Sequence, residues 1–306
     1  VRKTFIKTLS ECVAENPDVF LVTGDVGYGV LKSFTENFPK QFLNIGIAEQ
    51  NMTGIATGLA LEGKIVFTYS IANFPTLRCL EQIRNDAAYH AANVNIVSVG
   101  GGFSYGAAGM SHHATEDLAI MRSLPIVVVA PGDLWEVEQA TRALINHSGT
   151  CYFRLDHSYA DISHKKDEKF ILGKARRILE GDAITIMAIG GILNTALQVA
   201  NQLREEANIN CRVVSMHTLN PLDTEEIFDA AENTGGIVTV EEHTVSGGLG
   251  SSVAEVCLEN GIVPKVFYRF GLREGFSQVV GDQEYLKNYY NISAKAIIPK
   301  LKELIK

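Results

Sequence analysis

The stretch "NIGIAEQNM" at residues 44–52 sets Glu49 between a glycine-containing turn and the start of an apolar helical repeat. A carboxylate there can cap the helix, since negative charge is favourable at a helix N-terminus. It can also be a buried proton-transfer group held by a rigid turn. Downstream, "GGGFSYGAAGMSHH" at 100–113 follows an apolar run, and its five glycines permit close backbone approach to a ligand. The stretch ends at an expected helix start bearing His112 and His113. Those histidines and Glu116 lack HExxH spacing, and adjacent side chains on a helix point apart. The pattern favours one histidine as a polar contact or acid/base group over a metal site. Arg154 closes a further apolar run with Asp156 beside it, as a plain ion pair or as a contact for a substrate phosphate. "GDVGYG" at 24–29, containing Asp25, could cradle a phosphate or be a structural turn; it has neither GxGxxG spacing nor a Walker lysine. In "EEHTVSGGLGSSVAE" at 241–255, Ser251 or Ser252 could cap a helix, and the turn before it could bind an anion or pack.

These residues need elements to hold them. "VFLVT" (19–23), "KIVFT" (64–68), "VNIVSV" (94–99), "IVVVA" (126–130) and "TCYFR" (150–154) have the continuous β-branched character of strands in a parallel sheet covered on both faces. Between them, Met52, Ile55, Ala56, Leu59 and Ala60 keep helical spacing, as do Leu80, Ile83, Ala87 and Ala91, and Ala114, Leu118 and Met121. Pro75 suits a first helical turn before the second of these stripes. The alternation predicts a doubly wound α/β layer over 1–156. A polar, aperiodic stretch at 157–172 reads as a linker. The rhythm resumes over 173–306, with strands expected at 183–189, 211–216, 236–242 and 265–270 and helices at "ILNTALQVANQLREE", "DTEEIFDAAENT" and "GSSVAEVCLENG". The expectation is two α/β domains, the second smaller.

Composition narrows the classes. The chain has 306 residues, 46% of them hydrophobic, with a formal net charge of -8 and no long basic run, which argues against a nucleic-acid surface. No apolar stretch reaches the ~18 residues of a membrane span, and the first residues lack a signal-peptide core. The five cysteines are scattered without a CxxC pair. A cytoplasmic globular protein with reduced thiols is expected.

Taken together, "FLNIGIAEQNMTGIATGLALEGK", "EQIRNDAA", "GFSYGAAGMSHHATEDLAIMRSLPIVVVAPGD" and "EEHTVSGGLGSSVAE" resemble the transketolase family of thiamine diphosphate enzymes, in family order and over nearly the whole chain. The resemblance implies a pyrimidine-binding domain followed by the transketolase C-terminal domain. It implies that Glu49 hydrogen-bonds N1′ of the cofactor's aminopyrimidine, with Ile47, Gln50, Tyr69 and Phe74 near the cofactor. It places His112, Arg154 and Asp25 toward substrate, with His112 as the second catalytic group. No Gly-Asp-Gly motif is present for Mg²⁺ and diphosphate. The resemblance therefore implies a split enzyme: Mg²⁺ and diphosphate sit on a separate N-terminal subunit, the assembly is α2β2, and this chain alone is inactive.

The departures bear on substrate. An aspartate that contacts a sugar hydroxyl in ordinary transketolases corresponds to Ala108, and a phosphate-contacting histidine to Gly100. The aromatic that stacks on the pyrimidine corresponds to Ala72, with Phe74 or Tyr69 as its replacement. Ketol transfer to a sugar phosphate or a nucleotide-linked sugar is expected. The β subunit of a 2-oxoacid decarboxylating enzyme and a non-catalytic paralogue are the competing readings.

Overall fold

Every apolar run singled out above is a strand in the computed structural model, which describes all residues except 165, 166, 274 and 306. Two positions of the expected linker and two of the expected second domain therefore lie outside the described residues. In chain order the strands are β1 Val19–Thr23, β2 Phe42–Asn44, β3 Ile65–Ile71, β4 Val94–Val99, β5 Val127–Val129, β6 Cys151–Leu155, β7 Arg176–Leu179, β8 Thr185–Ile189, β9 Arg212–Ser215, β10 Thr218–Asn220, β11 Ile237–Thr244 and β12 Phe267–Leu272. They form a seven-stranded sheet, β10-β5-β6-β4-β3-β1-β2, and a five-stranded sheet, β12-β11-β8-β9-β7. Both are parallel except at one edge, where β10 runs antiparallel to β5 and β7 antiparallel to β9.

The fold is thus two α/β layers with parallel-rich mixed sheets, and β2, β7 and β10 are additions to the expected strand set. All three sit at sheet edges, where a strand is buried on fewer sides and loses the continuous apolar run that marks a central one. β10 has a further consequence. It belongs to the second half of the chain by sequence but pairs in the first sheet, Thr218 opposite Val129, so the second half of the chain lends a strand to the first sheet. One apolar cluster also spans them, with Leu118, Ile126 and Val128 packed together with Met187, Val214 and Leu249.

The helices depart from expectation in detail. Leu80, Ile83 and Ala87 do lie on a helical segment, but it runs through a 3₁₀ turn, Leu77–Cys79, a short α turn and a π turn, Ile83–Ala88; Ala91 lies past its end at a φ of 48°. The helix after the glycine-rich stretch starts at Asp117, beyond both His112 and His113. The unanticipated helix Leu134–Ile145 carries a legible start signal. Asp133 accepts from the Glu136 N–H at 2.6 Å, and Glu136 reaches back to the Gly132 N–H at 2.7 Å. No helix among the described residues is long and apolar enough to cross a membrane.

Buried charge joins the layers. Arg154, at 2% exposure, donates to Asp156 (2.8 Å), to Asp117 (3.2 Å) and to the Glu242 carbonyl (3.2 Å). Burial works against its charge, but Asp117 and Asp156 outweigh it and raise its pKa. Asp117 also accepts from the Tyr152 hydroxyl at 2.6 Å. Glu242 accepts from the Phe103 N–H (2.5 Å) and from Gln283 (2.9 and 3.0 Å). Its neighbour Glu241 accepts from the Leu249 and Gly250 N–H groups, at 2.8 and 2.9 Å. The helix Leu249–Glu259 is therefore capped by Glu241, not by Ser251 or Ser252, and this carboxylate already supplies the anion for which that turn was a candidate.

Burial first, and then the nearby Asp156, push Glu242 from an ordinary 4.5 up to about 7. A raised carboxylate pKa stabilises the fold fully below 4.5, and that contribution is lost as pH rises through about 7. His217 and His243, lowered to about 4 chiefly by burial, act in the opposite sense at lower pH. The effect is therefore isolated by comparing wild type with Glu242→Gln in urea unfolding. The variant's midpoint should rise relative to wild type between pH 5 and pH 8. A difference between the two midpoints that stays constant, or a variant midpoint that falls relative to wild type, would show that Glu242 is ionised in the folded protein throughout.

Candidate functional site

Glu49 is the first residue of the helix Glu49–Leu61, and its side chain does not cap that helix. It is 2% exposed, and its Oε2 accepts from Nη1 of Arg78 at 2.7 Å. The turn ahead of it is built by Asn44 at the end of β2. Asn44 Oδ1 accepts from the Asp25 and Gly46 N–H groups, and its Nδ2 donates to Asp25 Oδ1, each at 3.0 Å. This clips the loop after β1 to the loop after β2. Gly24 in the first loop lies against Glu49; a Cβ there would stand 3.5 Å from Glu49 Cγ. Asp25 also accepts from the Tyr28 hydroxyl at 2.9 Å. Its carboxyl is held below the ordinary range by these bonds, the Asn44 bond first.

Arg78 comes from the 3₁₀ turn that follows β3. Its guanidinium lies over the Phe74 ring, 4.8 Å from the centroid, a cation–π distance. Phe74 meets the His112 ring edge-on at 5.2 Å, and Ser111 Oγ lies 3.0 Å from His112 Nδ1. Glu49, Arg78, Phe74 and His112 therefore form one continuous group. It is assembled from loops at the C-terminal ends of β2, β3 and β4, where ligand sites of open α/β sheets lie. These loops and the one after β1 expose large apolar side chains: Tyr28 (81% exposed), Ile47 (80%), Leu77 and Met110.

Other expected residues are placed differently. Gln50 is exposed beside Glu49. Tyr69 is core. It stacks on Phe5 with centroids 6.2 Å apart, and burial pushes its phenol up to about 12, so its ring is not presented at the surface. Arg154 does not face a ligand either, because its guanidinium is spent on Asp117, Asp156 and the Glu242 carbonyl. The glycines of 100–113 are used in part for internal contact. A Cβ on Gly101 would lie 1.8 Å from Arg154 Nε, and one on Gly102 would lie 2.5 Å from Glu242 Oε1. Arg78 was not singled out from the sequence: its segment reads only as a helical stripe, and no local pattern couples position 78 to position 49.

Residues 1–160 match the family model for the transketolase pyrimidine binding domain, and residues 173–297 match that for the transketolase C-terminal domain. The chain belongs to the transketolase family. Similar relatives include an apulose-4-phosphate transketolase subunit of Phocaeicola vulgatus, 37% identical over all of this chain and 97% of the relative. The 6-deoxy-6-sulfo-D-fructose transketolase subunit SqwH of a Clostridium species is 34% identical over 97% of this chain and 92% of the relative. A solved structure described as a split gene transketolase, inactive beta4 tetramer, superposes with a TM-score of 0.87 at 35% identity, covering 99% of this chain and 97% of that one. This transketolase-family chain thus matches proteins named as separate subunits over nearly their full length.

The Glu49–Arg78 pair can be tested in the transketolase-type fold without any ligand. Arg78→Met strands a buried carboxylate and should cost about 1–3 kcal/mol in urea unfolding. The same change in a Glu49→Gln background should cost clearly less, by at least about 0.5 kcal/mol. Strict additivity of the two changes would mean that the 2.7 Å contact carries no stabilisation.

Proposed function

We propose that this chain is the C-terminal subunit of a thiamine diphosphate-dependent transketolase-type enzyme and acts with a separate subunit that holds Mg²⁺ and the diphosphate. The observation that carries the reading is Glu49: a carboxylate 2% exposed at a helix start, not spent on its own helix, and linked through Arg78 to the Phe74 ring. That setting fits an aminopyrimidine, a flat ring with one edge of hydrogen-bonding nitrogens. Bound thiamine diphosphate supplies an acidic ring carbon and an electron sink for breaking a carbon–carbon bond next to a carbonyl.

This chain's residues have separate tasks. Glu49 would exchange its Arg78 partner for the bound cofactor and would hold the proton at the pyrimidine N1′. Phe74 supports the ring, and Ile47 and Gln50 flank it. His112, half-buried and next to Phe74, donates to a substrate oxygen. The exposed Tyr28, Ile47, Leu77 and Met110 meet the partner subunit, and that contact excludes water from the group. The similar subunits named for apulose-4-phosphate and 6-deoxy-6-sulfo-D-fructose favour a sugar donor over a 2-oxoacid. The relative described as an inactive beta4 tetramer accords with a chain that needs its partner. With Arg154 engaged internally, phosphate recognition falls to other residues.

Calorimetric titration of thiamine diphosphate with Mg²⁺ tests this, with the chain alone and mixed with the partner subunit. Tight binding in the mixture only is expected; tight binding by the isolated chain would refute the shared site. In the assembled enzyme, Glu49→Gln should lower kcat by about 10²–10⁴-fold. Unchanged turnover in that variant would remove Glu49 from the mechanism.

A further inference from the structure

The row of rings that starts at Phe74 continues past His112. Tyr105 lies 6.2 Å from His112 and 4.6 Å, edge-on, from His157, which follows β6. The loop is pinned at this point: the His157 N–H donates to Ser104 Oγ at 3.1 Å, and Ser104 Oγ donates to the Gly101 carbonyl at 2.7 Å. Gly100 makes room for the row. It has a φ of 91°, and a Cβ there would stand 2.2 Å from Tyr105 Cε2, so the tyrosine ring fills the space that a side chain at 100 would take.

His157 Nε2 is buried and has no hydrogen-bond partner. Leaving a buried polar atom unpaired costs about 1–3 kcal/mol, and such atoms in folded proteins mark a missing ligand or water. Burial first, and then the charge of Arg2, lower the pKa of this imidazole and favour its neutral form. A neutral imidazole presents Nε2 as either donor or acceptor, according to tautomer. Its natural counterpart is a hydroxyl, which can play either part, and not a second charge. The position is set back from Glu49 by the rings of Phe74, His112 and Tyr105.

We propose that His157, backed by Tyr105, is a specificity-determining residue that binds a hydroxyl on the distal part of the sugar, away from the bond that is broken. The assignment rests on the ketol-transfer reading above and adds a substrate class: polyhydroxylated chains long enough to extend past His112 and carrying a free hydroxyl there. A site built to pair with a hydroxyl rejects the analogue that lacks it, because its own buried group is then left unpaired.

The test uses the assembled enzyme with thiamine diphosphate and Mg²⁺. A five-carbon ketose phosphate and its single-deoxy analogues are assayed with wild type, His157→Leu and His157→Gln. For wild type, one deoxy analogue should show a KM raised by about 10–100-fold over the parent sugar. His157→Leu should raise KM for the parent sugar by a similar factor and should no longer distinguish that analogue, with kcat and cofactor affinity unchanged. His157→Gln, which restores a donor nearby, should recover part of the loss. Turnover by His157→Leu with wild-type KM, or discrimination between sugars that survives in it, would overturn the assignment alone. A wild-type enzyme that binds cofactor but turns over no ketose would overturn the ketol-transfer reading and this assignment with it. Weakened cofactor binding in both variants would show that His157 supports the fold and does not read the substrate.

Discussion

Arg154 is the interaction on which the rest of the arrangement depends. It is an always-charged group placed where no water reaches it, so it must be surrounded by partners or the fold cannot form. Its partners come from three places: Asp156 from its own strand end, Asp117 from the start of the earlier helix Asp117–Arg122, and the Glu242 carbonyl from β11 of the other layer. Satisfying one guanidinium therefore draws the C-terminal ends of two sheets together. Gly101 follows from it, since a side chain at that position would occupy the volume of the guanidinium. The loop carrying Tyr105 and His112 takes its course from that contact.

The group around Glu49 is built by different physics. There the sheet ends are tied by hydrogen bonds through Asn44, one of them to the Asp25 carboxylate, and Glu49 has one half-exposed charged partner in place of a closed cage. A closed cage of the Arg154 kind resists exchange, because every lost contact leaves a buried charge unpaired. A single partner whose other side faces solvent can be given up at smaller cost. One molecule thus holds two kinds of buried charge: one fastens the layers, and the other keeps a single, half-exposed partner.

Much of the fold was legible because central parallel strands are buried on both faces and leave unbroken apolar runs. β1, β3, β4, β6, β8 and β11 carry that signature. The edge strands β2, β7 and β10 do not, and β10 in particular has only three residues and joins a sheet from which it is distant in sequence. Local periodicity holds no information about that pairing. The start of the helix Leu134–Ile145 was written in Asp133 and Glu136, whereas Glu241 as the cap of Leu249–Glu259 acts from eight residues upstream, outside any cap spacing.

Within the candidate site, the sequence by itself marked Glu49 and His112, because a carboxylate at a turn–helix junction and a histidine after a glycine-rich loop are local features. It also carried the family likeness, which is a property of order and spacing along the chain. Only the tertiary structure decided that Arg78 and not solvent faces Glu49, that Tyr69 belongs to the core, that Arg154 binds the two layers and not a ligand, and that His157 ends the row of rings. Each of these depends on which groups from distant strands compete for the same few ångströms. Residue type states what a side chain can bond; the packing of the other strands decides what is left for it to bond.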